Sequence, residues 1–276
     1  MNCFVLITGW FGVKHTMKGM VKILLETCLF GLISYVILLL LGGDSFSVSH
    51  LKDSMDFRFN WFVVSYMMLL LVSPLIERSL MNLEFKEFKK WMILLCVFNI
   101  VFVLLLNRLN DNGYNVVQFI FLYYVARFLK TMKDSGNLWY KRFEKYSLPV
   151  YIIMVLALTA GYLFLDEYRH APKSIKWFGY NNPILLIASV AFFVSIAKIR
   201  LKSRWINYLA SGVFGVFILH TTKYMIPFRN DITHDVYLNY GYIGIIALSV
   251  IILFAGLIIS VPGAKAVKLV MNKIKL

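Results

Sequence analysis

The chain has 276 residues, 60% hydrophobic and 16% aromatic but only 16% charged, with a mean hydropathy of +0.72. Soluble domains carry about 25% charged residues and about 45–50% apolar ones, and a globule of this size cannot hide the excess. Disordered, collagenous and disulfide-stapled secreted classes are excluded, which leaves an all-α, polytopic membrane protein. Net charge is +15. No basic stretch interleaves aromatics outside a membrane flank, so this charge points to anionic membrane lipid as partner and not to nucleic acid. Cys3, Cys28 and Cys96 all lie in apolar runs without CxxC spacing, so neither a metal site nor a disulfide framework is expected.

Nine apolar segments follow in chain order, at about 1–13, 23–42, 61–77, 91–107, 115–130, 147–166, 183–198, 207–224 and 240–262. A bilayer helix needs roughly 20 residues. Period-two alternation is not repeated along the chain, which argues against a β-barrel. Pro74 and Pro149 fall inside spans, where neighbouring groups take up the freed backbone atoms. No internal repeat or long hydrophilic insertion interrupts the chain, so residues 1–276 read as one membrane domain.

The first segment is short. Met1 to Lys14 gives roughly 20 Å of helix against a hydrocarbon core about 30 Å thick, so further residues are expected upstream of Met1. Glu26 sits one turn into the second span, and Lys22 at i−4 is its natural partner. Leu83, Phe85, Phe88 and Trp91 alternate with Glu84, Lys86, Glu87 and Lys89. That pattern fits either a short interfacial helix or a snorkelling linker.

The basic residues sort cleanly across the gaps. One set of flanks holds 21 of the 29 Lys and Arg, the opposite set 8. The richer set is cytoplasmic by the positive-inside rule, which puts the C-terminus inside and Met1 on the outer side or within the membrane. Trp61 opens the third span at the outer face, and Trp91 and Trp205 lie at inner flanks, as interfacial indoles do.

Several segments resemble one family. Cys3-Phe4-Val5-Leu6-Ile7-Thr8-Gly9-Trp10-Phe11 resembles the "FxLISGYF" second span of the membrane acyltransferase-3 family, and a basic loop follows it in both. Asn60-Trp61-Phe62-Val63-Val64-Ser65-Tyr66 through Ser73-Pro74-Leu75 is similar to "WFxxxYxxLYLLSPxLN". The run Phe121 to Lys130, FLYYVARFLK, is similar to "LYLIGRYIK", with Ala126 for the Gly. Tyr180-Asn181-Asn182-Pro183 resembles "YNSP", and Leu209 to His220, LASGVFGVFILH, resembles "LASSTFGVYLIH". The five motifs occur in family order and cover most of the chain. The resemblance implies an acyltransferase that O-acetylates a cell-surface polysaccharide or lipid-linked sugar at the cell (inner) membrane, with acyl-CoA (acetyl-CoA) as donor substrate and no bound cofactor. It also implies ten spans, of which the first, carrying a basic residue and a His, lies outside this chain. A chain without that pair is expected to be incomplete or inactive.

Such a reaction needs a base near the acceptor hydroxyl, groups that stabilise an oxyanion, and cations for the CoA phosphates. His220, near the outer end of the eighth span, is the candidate base, since imidazole titrates near neutrality; a hydrogen-bonded interfacial His is the alternative. Thr221, Thr222 and Tyr224 beside it would line an acceptor pocket. Arg127 and Lys130, one turn apart, and Arg78 are candidates for the donor's phosphates, or else positive-inside anchors. Adjacent Glu77 and Arg78 share no helix face and need not pair. Trp61, Asn181 and Asn182 are candidates for the acceptor, the indole stacking on a sugar and the amides reading hydroxyls; an aromatic belt and a helix cap are the alternative and the more ordinary explanation. The contrasting class is a non-catalytic component of glycan export or a transporter, which would show paired interrupted helices in two halves; none are visible.

Overall fold

In a computed structural model, residues 1–13, 17–105, 111–169, 177–199 and 202–273 are described. The basic residues Lys14, Arg108, Lys173, Lys176, Arg200 and Lys275 lie outside them. The described regular structure is all helical: α1 Asn2–Phe11, α2 Met17–Leu40, α3 Val48–Met55, α4 Trp61–Met81, α5 Phe85–Leu105, α6 Val116–Asp134, α7 Leu138–Arg169, α8 Pro183–Ala197, α9 Arg204–Ala210, α10 Val213–Leu219 and α11 Met225–Lys273. Four of them are long and apolar enough to cross a membrane: α2, α4, the Leu138–Phe164 part of α7, and α11. The 24 residues of α2 rise about 36 Å, more than the hydrocarbon thickness. Helices α1, α8 and the Arg204–Leu219 stretch are apolar but shorter.

The chain divides into two compact units. The first comprises Met1–His15 and Ser65–Leu201. Here α1 packs on α6 and α8, α7 runs along α8, and α5 meets α6. The α1–α6 contact is close because both sides are small. A Cβ on Gly9 would stand 2.8 Å from the Ala126 Cβ and 2.9 Å from the Tyr123 carbonyl oxygen, the small-residue packing that membrane helices use in place of a hydrophobic driving force. Residues 85–91 form no separate interfacial helix. They are the first turns of α5, which continues unbroken to Leu105. Phe85 stacks on Phe128 of α6 and Phe88 meets the same ring edge-on, so two rings of the face expected on lipid are spent on a neighbouring helix, while Trp91 stays exposed.

Pro74 lies within α4. It has no N–H for the carbonyl of Leu70 four residues back. Buried Ser73 supplies the missing donor, its Oγ reaching that carbonyl at 3.1 Å. Helix α8 begins where Asn182 accepts from the Ile184 amide at 2.8 Å with Pro183 at the first helical position, the favoured arrangement for a helix start.

The second unit comprises Thr16–Val64 and Lys202–Leu276, with α2 packed against α3, α10 and α11. Gly31 leaves room for the Ser54 carbonyl of α3. The apolar stretch 207–224 is not one continuous span. It is divided into α9 and α10 at Ser211–Gly212, where the Ser211 hydroxyl turns back to the Tyr208 carbonyl at 2.6 Å. Helix α11 is likewise two arms, 225–240 and 242–273, parted at Gly241 with φ 59, a left-handed conformation natural only to glycine.

Candidate functional site

His220 follows the last residue of α10, in the second unit. Its Nδ1 lies 2.7 Å from the Val216 carbonyl, one of the carbonyls left unpaired at a helix C-terminus. A carbonyl only accepts, so Nδ1 carries the proton and Nε2 of the neutral ring carries the lone pair. That is the tautomer a general base needs. The surrounding turn is pinned on both sides. Ser34 of α2 donates to the Leu219 carbonyl at 2.7 Å and lies 2.9 Å from the Thr222 hydroxyl, and Asn60 donates to Thr221 at 3.2 Å.

These bonds revise the expected acceptor pocket. Thr221 donates to the Phe217 carbonyl while accepting from Asn60, and Thr222 is tied to Ser34. The space lined by Thr221, Thr222, Asn60 and Asp53 is about 10 Å³, room for one water at most. Tyr224 donates to Asp53 at 2.7 Å, as does Lys223 at 2.8 Å. These donors hold the Asp53 carboxyl below its ordinary range. His50 stacks on Tyr224, with ring centroids 4.1 Å apart, and its Nδ1 meets Asp44 at 2.6 Å, which holds Asp44 low as well.

In the first unit the expected phosphate cations are differently occupied. Arg127 pairs with Glu77 at 2.9 Å, and the other oxygen of Glu77 accepts from Tyr123 at 2.6 Å. Glu77 therefore has a partner on α6, not its neighbour Arg78, which is exposed. Lys130 pairs with Asp134 at 2.8 Å, and Lys130 and Lys133 both stand 5.4 Å from the Trp10 ring centre, cation–π distance.

Asn182 caps α8 through Oδ1 and donates to the Trp177 carbonyl at 2.8 Å through Nδ2, so both ends of its amide are engaged in holding the start of α8. Asn181 is buried beside it. Trp61 is half-buried at the start of α4 and belongs to the second unit.

One charged cavity was not foreseen. Lys18 and Lys22 at the start of α2 and Lys265 and Lys268 near the end of α11 line a space of about 450 Å³ with Ser211 and Asn272. Lys22 also meets Glu26 at 3.4 Å, the i−4 pairing expected from sequence. The spacings Lys18–Lys22 and Lys265–Lys268 each place two cations on one helix face, but only the tertiary fold joins the two faces. Among the described residues no group of His, Cys, Asp and Glu is arranged to hold a metal.

The comparison with known families decides the class. The family model for acyltransferase family 3, an acyltransferase domain, matches residues 1–265. The chain belongs to the acyltransferase-3 family. No curated protein and no solved structure matches it. In this acyltransferase-3 membrane protein the motif residues make specific contacts. Gly9 of α1 meets Ala126 and Tyr123 in FLYYVARFLK. Arg127 of the same run holds Glu77, Ser73-Pro74 repairs its own helix, and Tyr180 to Pro183 opens α8. His220 closes the LASGVFGVFILH run, where the chain leaves α10.

Proposed function

We propose that the chain is a membrane-embedded O-acyltransferase that passes an acyl group, acetyl in the first instance, from acyl-CoA to a hydroxyl of a cell-surface polysaccharide or lipid-linked sugar. The observation that carries this reading is the four-lysine cavity of the second unit, in a chain of an acyltransferase family. CoA is a polyanion at its nucleotide end, and ammonium groups converging from two helices suit its phosphates. All four lysines belong to the charge set assigned to the cytoplasm, where acyl-CoA resides. In this reading the nine apolar segments cross the membrane, 207–224 as a helix broken at Ser211–Gly212, and the C-terminus is cytoplasmic. This reading replaces Arg127 and Lys130 as the phosphate grip, since Glu77 and Asp134 already engage them.

His220 is the proposed base. Its Nε2 takes the acceptor hydroxyl's proton as that oxygen attacks the thioester carbonyl; the C–S bond breaks, and the proton passes to the departing thiolate. Helix α2 carries Lys22 near one end and, about 18 Å along its axis, Ser34, which holds the turn bearing His220 through the Leu219 carbonyl. The donor's pantetheine arm spans the interval. The half-buried Trp61 indole offers a stacking face for the acceptor sugar.

The test uses purified full chain in nanodiscs and compares acetyl-CoA with S-acetylpantetheine, which lacks the nucleotide phosphates. Lys265→Gln/Lys268→Gln leaves the Lys22–Glu26 pair intact. It is expected to raise KM for acetyl-CoA about tenfold and to leave S-acetylpantetheine unchanged. An equal effect on both donors, or none on either, refutes the donor site. His220→Ala should retain acetyl-CoA binding and lose transfer; full transfer removes His220 from the chemistry.

A further inference from the structure

A second cavity of the same unit has a different chemistry. It is about 270 Å³ and is walled by α2, α10 and both arms of α11. Phe228 and Ile232 on the first arm share it with Ile251 and Ile252 on the second. Residues 19 apart in one straight helix would be about 28 Å apart, so the arms fold back on each other at Gly241. The lining is aliphatic and aromatic apart from two side chains, His220 and Arg229. The volume is just below the roughly 300–1,000 Å³ of small-ligand pockets. It admits a slender apolar chain.

Arg229 makes the site specific. Its Nη1 donates to the His220 carbonyl at 3.3 Å and its Nη2 to the Asn230 side-chain oxygen at 3.0 Å. Both acceptors are neutral. None of the ion pairs among the described residues includes Arg229. The positions that share its helix face, Met225, Ile226, Ile232 and Thr233, carry no acid. Arg229 is half-buried at the rim of the cavity, with its bond to Asn230 on the exposed side, so its guanidinium is open to an anion at the headgroup level, and its planar fork matches phosphate.

We propose that this cavity binds an anionic phospholipid of the bilayer, one alkyl chain between the two arms of α11 and the phosphate on Arg229. The charge complement is the argument: an aliphatic slot with a single unbalanced cation at its rim calls for an amphiphile with a phosphate head. The lipid braces the α11 hairpin and the turn bearing His220 through the Arg229–His220 contact. The site is separate from the four-lysine cavity, and the proposal stands whether or not that cavity takes the acyl donor.

The experiment places the full chain in phosphatidylcholine nanodiscs carrying either phosphatidic acid or diacylglycerol, each with the same diazirine-bearing chain. Photolabelled residues are mapped by mass spectrometry. The phosphatidic acid probe is expected to label 37–41 and 248–259 about tenfold more than the diacylglycerol probe. Arg229→Gln should reduce it to the diacylglycerol level, and Ile252→Trp should abolish labelling by both. Competition in the unaltered protein needs no variant: unlabelled phosphatidic acid should displace the probe and diacylglycerol should not. Equal labelling by the two probes, labelling confined to other segments, or indifference to Arg229→Gln in a chain that elutes as the unaltered protein does overturns the proposal. So does displacement by palmitoyl-CoA in preference to phosphatidic acid, which would make the cavity the donor's acyl slot.

Discussion

Removing the carboxylate of Glu77 separates two roles for Arg127. Glu77 accepts from buried Tyr123 at 2.6 Å and from Arg127 at 2.9 Å. Hydrogen bonds to charged groups contribute about 1.5–3 kcal/mol each. The Arg127 and Glu77 side chains are 27% and 26% exposed, so the lower end applies to that pair. Glu77→Ala removes both bonds and strands a buried phenol, and is expected to cost about 3 kcal/mol. Arg127→Ala should cost about 1.5 kcal/mol, because Tyr123 still satisfies one oxygen of Glu77. The double variant should show a coupling of about 1 kcal/mol, as residues in one network do. Thermal unfolding in one detergent, with donor KM measured alongside, reads all three. If Arg127→Ala left the unfolding midpoint unchanged, with no coupling to Glu77, and instead raised the acyl-CoA KM, then Arg127 would be a donor contact and the structural assignment would be wrong.

Ser73→Ala should destabilise the chain by about 1–2 kcal/mol, since it leaves the buried Leu70 carbonyl without a donor; Ser73→Ala/Pro74→Ala should recover most of that, because replacing the proline restores a main-chain N–H at that position, and failure to recover would refute the repair of α4 by Ser73. The Asp53 carboxyl is held low by Lys223 and Tyr224. Its stabilising effect is full above its ordinary pKa and vanishes as pH falls through the depressed folded value. Unfolding midpoints of Asp53→Asn and the unaltered chain should therefore differ at pH 6 and converge only as the pH falls below the ordinary Asp range; a pH-independent difference would show that the carboxylate's charge is irrelevant.

Composition and hydrophobic periodicity determined the all-α membrane class, because lipid solvates no open backbone group and helices satisfy their own. Local spacing also determined Lys22–Glu26, one turn apart, and the start of α8 at Asn182-Pro183. Five motifs in order identified the family that the match over residues 1–265 shows. Charge partners across the chain were another matter. Arg127 and Glu77 are 50 positions apart in sequence, and no pattern in either segment says that α6 turns its arginine toward α4. Lys18 and Lys268 read separately as flanking charges, and only packing of α11 on α2 makes them one cavity. Hydropathy placed a single span over 207–224 and began another at 240, because a window average does not register backbone torsion. The turns at Ser211–Gly212 and Gly241, which set His220 and Arg229 on one cavity, depend on a few φ and ψ angles that are stable only when the surrounding helices hold them.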